Sequence, residues 1–280
     1  VIDTTTVRTT AGSLGVPGAR LHYEVRGDGP LVVLVGSPMD ARAFEALAGE
    51  LATDHTVLTT DPRGIGRSFL DDPEQDSTPE LRADDLARLI THLDAGPAVV
   101  FGSSGGAVTA LALAQARPDL VHTVIAHEPP VQSLLPDAER RHAATDAIIA
   151  TYVSDGPGAA WMAFLAAANL PMPQGDESAG PTPQSGERDP EEVATERRFF
   201  LHELRPTTRW QPAVDALRSG TTRIVVGIGA DSAGQLCDLT STALADALDV
   251  EPAIFPGDHV GFVADPAAAA RRVRAVLGEV

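Results

Sequence analysis

A chain of 280 residues with 43% apolar side chains has room for one large domain or two ordinary ones and can bury a substantial core. Its 21 Lys and Arg against 39 Asp and Glu leave a formal charge of −18, which repels phosphate backbones. Aromatics at 4% offer few stacking platforms, so nucleic acid is excluded as an expected partner. The single cysteine, Cys237, precludes an internal disulfide, and no run approaches the ~18 apolar residues of a membrane span.

Val1 to Thr10 lack the basic start and apolar stretch of a signal, so a soluble, cytoplasmic chain is expected. Leu21, Tyr23 and Val25 alternate with polar neighbours, the period of a half-exposed strand, and Gly27-Asp28-Gly29-Pro30 supplies a turn; an opening hairpin is predicted. Leu31 to Val35 is apolar throughout, as in a strand covered on both faces. Phe44, Leu47, Ala48 and Leu51 recur at helical spacing, and Thr56 to Thr60 reads as a strand running into Asp61-Pro62-Arg63-Gly64.

Thr78 as N-cap, with Pro79 at the first helical position, opens a helix striped by Leu86, Leu89, Ile90 and Leu93. The strand Ala98 to Phe101 enters Gly102-Ser103-Ser104-Gly105-Gly106, and a helix follows as far as Pro118. Further strands are predicted at Val121 to Ala126, Ile224 to Ile228 and Pro252 to Phe255. The alternation gives an α/β fold with a mostly parallel, helix-covered sheet.

The core is assigned to 1–129 and 213–280, and 130–212 reads as an inserted helical cap, with helix-like stretches at Ala138 to Tyr152, Ala159 to Leu170 and Glu191 to Leu204. Within it, 171–190 is dense in Pro, Gly and polar residues and is expected to be a mobile loop. Trp161, Met162, Phe164, Leu165, Phe199, Phe200 and Leu201 could line an apolar substrate pocket, although helical spacing favours core packing.

A serine hydroxyl is a poor nucleophile at neutral pH. It needs a base within reach, a carboxylate to orient that base, and donors aimed at the developing oxyanion. In the glycine-rich pentapeptide only Ser104 has glycine at both −2 and +2, where small residues let a strand turn sharply into a helix. Of the eight histidines, only His259 sits in a glycine-bounded loop beyond a C-terminal strand.

Gly36-Ser37-Pro38, Asp61-Pro62-Arg63-Gly64-Ile65-Gly66-Arg67-Ser68, the Ser104 turn, Gly229-Ala230-Asp231-Ser232 and Gly257-Asp258-His259 occur in an order that resembles the α/β-hydrolase superfamily along nearly the whole chain. The resemblance implies Ser104 as nucleophile, His259 as general base and Asp231 as orienting acid. It also implies the backbone N–H groups of Ser37 and Gly105 as oxyanion hole. Glu128, after the preceding strand, and Asp258 are alternatives for the acid.

Val35 stands where the family often has His before the glycine, so the oxyanion loop lacks its usual side-chain support. The Asp61 to Ser68 string is expected to be structural, with Arg63 pairing a carboxylate. It lacks the Lys-Ser/Thr of a P-loop. His127 and His202 form no metal-ligand spacing, so neither metal nor cofactor is expected.

The function implied is a cofactor-independent hydrolase of esters, thioesters or related small acyl compounds. Two alternatives stand beside it: non-hydrolytic use of the same triad, in acyl transfer, perhydrolysis, carbon–carbon cleavage or cyclisation, and a ligand-binding protein on the same scaffold.

Overall fold

The computed structural model describes residues 8–170 and 188–278; of the expected loop at 171–190, all but 188–190 lies outside the described residues. The strands are β1 (Thr9–Val16), β2 (Ala19–Arg26), β3 (Leu31–Val35), β4 (Thr56–Thr60), β5 (Phe69–Leu70), β6 (Ala98–Ser103), β7 (Val121–His127), β8 (Arg223–Gly229) and β9 (Ala253–Phe255). They form one sheet in the order β1-β2-β4-β3-β6-β7-β8-β9, with β5 beside β2. From β4 to β9 every neighbouring pair is parallel, and β2 joins β4 antiparallel.

The helices are α1 (Glu45–Leu51), α2 (Pro79–Leu93), α3 (Gly105–Ala116), α4 (Ala138–Asp155), α5 (Pro157–Ala167), α6 (Pro190–Arg198), α7 (Leu204–Thr208), α8 (Val214–Ser219), α9 (Leu236–Leu248), α10 (Gly261–Ala264) and α11 (Pro266–Leu277). A π-helical turn, Phe199–Glu203, joins α6 to α7.

The unbroken apolar run of β3 is explained by its two covered faces. Val33 and Val35 pack with Leu86 and Leu89 of α2 and Leu111 of α3, whereas Val32 and Leu34 pack with Leu47 and Leu51 of α1 and Val273 of α11. All four strand residues are essentially inaccessible, so each contributes roughly 1.5–3 kcal/mol from burial. On α2, the Thr78 hydroxyl accepts from the Leu81 N–H at 3.3 Å, and Asp94, at φ 49°, closes the helix in the left-handed region.

The opening hairpin differs from the prediction. It turns at Pro17-Gly18 between β1 and β2, and Gly27 to Pro30 instead carries the chain away to β3. β4 lies between β2 and β3, so that β3, apolar on both faces, has a parallel neighbour on each side, β4 and β6.

Arg63 has the carboxylate partner expected of it. Its Nε and Nη2 donate to the two oxygens of Asp85 at 2.7 and 2.6 Å, beneath the turn made by Gly64 (φ 74°) and Gly66 (φ 55°). Between β7 and β8 the described residues form helices and no strand. The C-terminal ends of β3, β6 and β7, together with the loops after β8 and β9, meet beneath this helical segment, the edge at which open α/β sheets place their crevices.

Candidate active site

Ser104 lies between β6 and α3 with φ 56° and ψ −125°, a conformation that L-residues rarely adopt. Close backbone packing holds it there. A Cβ on Gly102 would meet the Gly106 carbonyl oxygen at 2.4 Å, and one on Gly106 would meet that of Val35 at 2.2 Å. The glycines of the motif therefore admit the turn and let α3 press against the end of β3.

A Cβ on Gly105 would lie 2.8 Å from the Ser37 carbonyl oxygen, so the two backbones expected to supply an oxyanion hole run side by side. Gly105 is also the first residue of the twelve-residue α3, where N–H groups face outward and the helix dipole favours negative charge.

His259 stands in the loop between β9 and α10 and shares a cleft of about 650 Å³, its mouth included, with Ser104, Ser37 and Gly105. Its Nδ1 lies 2.5 Å from Glu128 Oε2. A proton on Nδ1 donated to that carboxylate leaves Nε2 as the acceptor nitrogen.

The carboxylate beside His259 is thus that of Glu128, and the expected partner, Asp231, is elsewhere. Asp231 is exposed on the turn after β8, where its backbone N–H donates to the Gly257 carbonyl at 3.0 Å. Glu128 follows directly on β7. Its N–H continues the ladder to Gly227 O at 3.0 Å, and its φ of 52° marks the turn in the chain at this point. The other carboxylate oxygen accepts from the Gly229 N–H at 2.8 Å, so Glu128 takes both the imidazole and the end of β8. Asp258 Oδ1 accepts from the Val260 N–H at 3.0 Å and serves its own turn.

Burial alone would raise the Glu128 carboxyl, but the His259 hydrogen bond and positive charge hold it at about 2. For His259 burial disfavours the charged ring, while the Cys237 sulfur and Glu128 favour it, and the balance lies well above the ordinary histidine value of 6.5. His127 goes the other way: burial pushes it down to about 4, so it is neutral at pH 7. It packs among Phe101, Phe255 and Phe262 with its ring 6.5 Å from that of His259, and its Nδ1 is 3.2 Å from Ser103 Oγ.

One group among the described residues brings potential metal ligands together: Glu128, Cys237 and His259, with ligand atoms within 4.8 Å of one another. A nitrogen, a sulfur and an oxygen suit zinc in kind. Here the Glu128 and His259 atoms already bond each other. His202 is apart from this group and faces Asp76 at 3.0 Å.

The aromatic residues between β7 and β8 divide between the two expected roles. Phe164 and Phe199 line the cleft, while Trp161 and Phe200 pack against them and Tyr152, and Met162 is exposed. Sequence reasoning missed Glu203, Gln132, Gln235 and Cys237, all of which reach the cleft. Glu203 left a trace as an acidic side chain which, with His202, interrupts the apolar run Phe199-Phe200-Leu201-His202-Glu203-Leu204. Its Oε2 accepts from the Ser37 hydroxyl at 2.6 Å.

A serine on a strained strand-to-helix turn, sharing a cleft at the C-terminal edge of a parallel sheet with a histidine that a buried carboxylate backs, defines a class, and the comparisons agree. The chain belongs to the alpha/beta hydrolase family, whose model matches residues 31–272. It is similar to an uncharacterized hydrolase, YraK, of Bacillus subtilis, with 44% identity over 133 residues, 47% of this chain and 49% of that protein. It is also similar to the 2-(acetamidomethylene)succinate hydrolase of Mesorhizobium japonicum, with 36% identity over 107 residues, 38% of each chain. These curated relatives are matched over about half of their length or less.

Among solved structures, a hydrolase from Pseudomonas aeruginosa superposes with a TM-score of 0.69 at 21% identity, covering 99% of this chain and 100% of that one. A thermophilic esterase from Thermogutta terrifontis does so at 0.63 and 24%, covering 97% and 98%.

Proposed function

We propose that the protein is a serine hydrolase of small esters, thioesters or related acyl compounds, working through an acyl-enzyme on Ser104. The observation that carries the reading is His259, which lines the same cleft as Ser104 and is bonded at 2.5 Å to the buried Glu128 behind it. In this reading Glu128 takes the place expected for Asp231, and helices α4 to α7 act as a cap over the substrate.

The Ser104 hydroxyl proton passes to His259 Nε2 as Oγ attacks the acyl carbonyl carbon. Glu128 holds the ring in the required tautomer and offsets the imidazolium charge. The carbonyl oxygen becomes an oxyanion facing the N–H groups of Ser37 and Gly105. Such donors gain most where water is excluded, and losing one costs on the order of a hundredfold in turnover. The intermediate collapses, the leaving group takes the proton from His259, and the acyl group stays on Oγ. Water then gives a proton to His259 and attacks the acyl carbon, releasing the acid and restoring Ser104.

The test is labelling with a fluorophosphonate and mapping of the adduct, together with turnover of p-nitrophenyl esters. Wild type is expected to label once, at Ser104, and Ser104→Ala and His259→Ala to lose both labelling and turnover. Labelling that persists in Ser104→Ala would sink the assignment.

A further inference from the structure

The cleft is mainly apolar, with Phe164, Phe199, Leu204 and Leu236 in its wall, yet unpartnered acceptor atoms occur on residues of its lining. Glu203, Gln132 and Gln235 are 1%, 5% and 9% exposed, and the Oε1 atom of each has no hydrogen-bond partner in the protein. A buried acceptor left unpaired is costly, and more so when charged, so a group that comes to rest against these atoms must bring donors.

Glu203 is the most informative of the three, since a carboxylate can only accept and no exchange of amide atoms can alter its character. Its Oε2 is taken by the Ser37 hydroxyl, which leaves Oε1 of the same carboxylate without a partner. Arg82 and Arg198 both lie within its field. Burial works against both guanidinium groups, and the negative field of Glu203 is the largest influence opposing it.

Resting on the serine-hydrolase reading, we infer that Glu203 is a specificity residue that selects acyl substrates carrying a hydroxyl or N–H donor a few bonds from the scissile carbonyl, with Gln132 and Gln235 as further acceptors. The apolar wall takes the remainder of the substrate. A purely hydrocarbon ester leaves the carboxylate oxygen unpaired, whereas a hydroxylated or aminated counterpart pairs it. Sites built to bond a substrate hydroxyl reject the analogue that lacks it far more strongly than apolar pockets reject a missing methylene.

The experiment compares kcat/KM within matched sets: p-nitrophenyl propionate with the lactate and O-methyl-lactate esters, p-nitrophenyl butyrate with the β-hydroxy- and β-methoxybutyrate esters, and propyl acetate with 2-hydroxyethyl and 2-methoxyethyl acetate. Wild type is expected to favour the hydroxylated member of at least one set by about tenfold or more over both the alkyl and the methoxy member. In Glu203→Gln the amide oxygen can keep the Ser37 bond while the NH2 faces the cleft. That preference should collapse or turn toward the methoxy ester.

The ratio is the readout, because any general change at the Ser37 loop affects all members of a set alike. Wild-type rates without preference, or a preference unchanged in Glu203→Gln, would overturn the inference. If the variant does not fold, the wild-type ratios decide alone. Turnover that survives Ser104→Ala would instead count against the serine-hydrolase reading, so the two failures are told apart.

Discussion

At the scale of single residues, the acid beside His259 separates what local sequence carries from what it does not. Ser104 and His259, which the fold brings to one cleft, stand out in the sequence because of their neighbours: glycines at −2 and +2 for one, and a glycine-bounded loop after the last strand for the other. The acid is different. β7 and β8 lie side by side in the sheet, with His127 opposite Gly227, so a carboxylate after either strand comes near the same imidazole. Which of them reaches it depends on the left-handed turn at Glu128 and on Asp231 lying two residues beyond the end of β8. Neither detail is written in a motif.

The consequence is measurable. Glu128→Gln should lower kcat by about a hundredfold or more, with Asp231→Asn close to wild type in p-nitrophenyl ester turnover. The reverse ranking would exclude Glu128. The pH profile adds an independent check. In the proposed mechanism the base must be neutral, and His259 is held well above 6.5, so kcat/KM should rise with pH through a midpoint above that value. Removing the Glu128 charge removes a stabiliser of the imidazolium, and in Glu128→Gln the midpoint should move to lower pH.

The pair also bears on folding. Glu128 is depressed from 4.5, so its contribution is present above that value and lost as pH falls toward 2. His259 is raised, so its contribution is complete below 6.5 and fades as pH climbs through the folded value.

At the scale of elements, two contacts determine how well the site is held. The first is the meeting of α3 with the end of β3. Gly106→Ala must push its methyl into the Val35 carbonyl, so it should displace the Ser37 loop and reduce turnover as well as stability. A variant with wild-type kcat and an unchanged urea midpoint would mean that the backbone yields more easily than its packing suggests.

The second is the Arg63–Asp85 pair, where both side chains are buried and doubly bonded. Burial raises the Asp85 carboxyl, while its Arg63 bonds work to lower it. Removing one partner of a buried pair leaves the other uncompensated, so Arg63→Ala should cost about 3–5 kcal/mol in urea denaturation. The core strands and the helices between β7 and β8 were readable because period and apolar content determine them directly. The π-helical turn was not: a five-residue widening leaves no period of its own in the sequence, and yet it carries Glu203 to the cleft.

At the scale of the whole molecule, the formal charge of −18 does not select a fold but does load the native state with self-repulsion. Screening should relieve it. The thermal midpoint is expected to rise by a few degrees between low-salt buffer and roughly 0.5 M NaCl, where the Debye length has fallen to a few ångströms. A flat or falling midpoint in differential scanning calorimetry would indicate that the many surface ion pairs, such as Arg274–Asp54, lose as much as the repulsion does.

The Ser37–Glu203 hydrogen bond joins residues 166 positions apart, one on the loop after β3 and the other in the helical segment over the cleft. Mechanically it is a tether across the mouth of the site. On the proposed hydrolase reading, any outward movement of the helices would have to break it and would free the loop that carries Ser37 in the same stroke. On that reading one hydrogen bond couples loading to chemistry: the loop expected to hold the oxyanion is drawn tight only while the helices lie over the cleft.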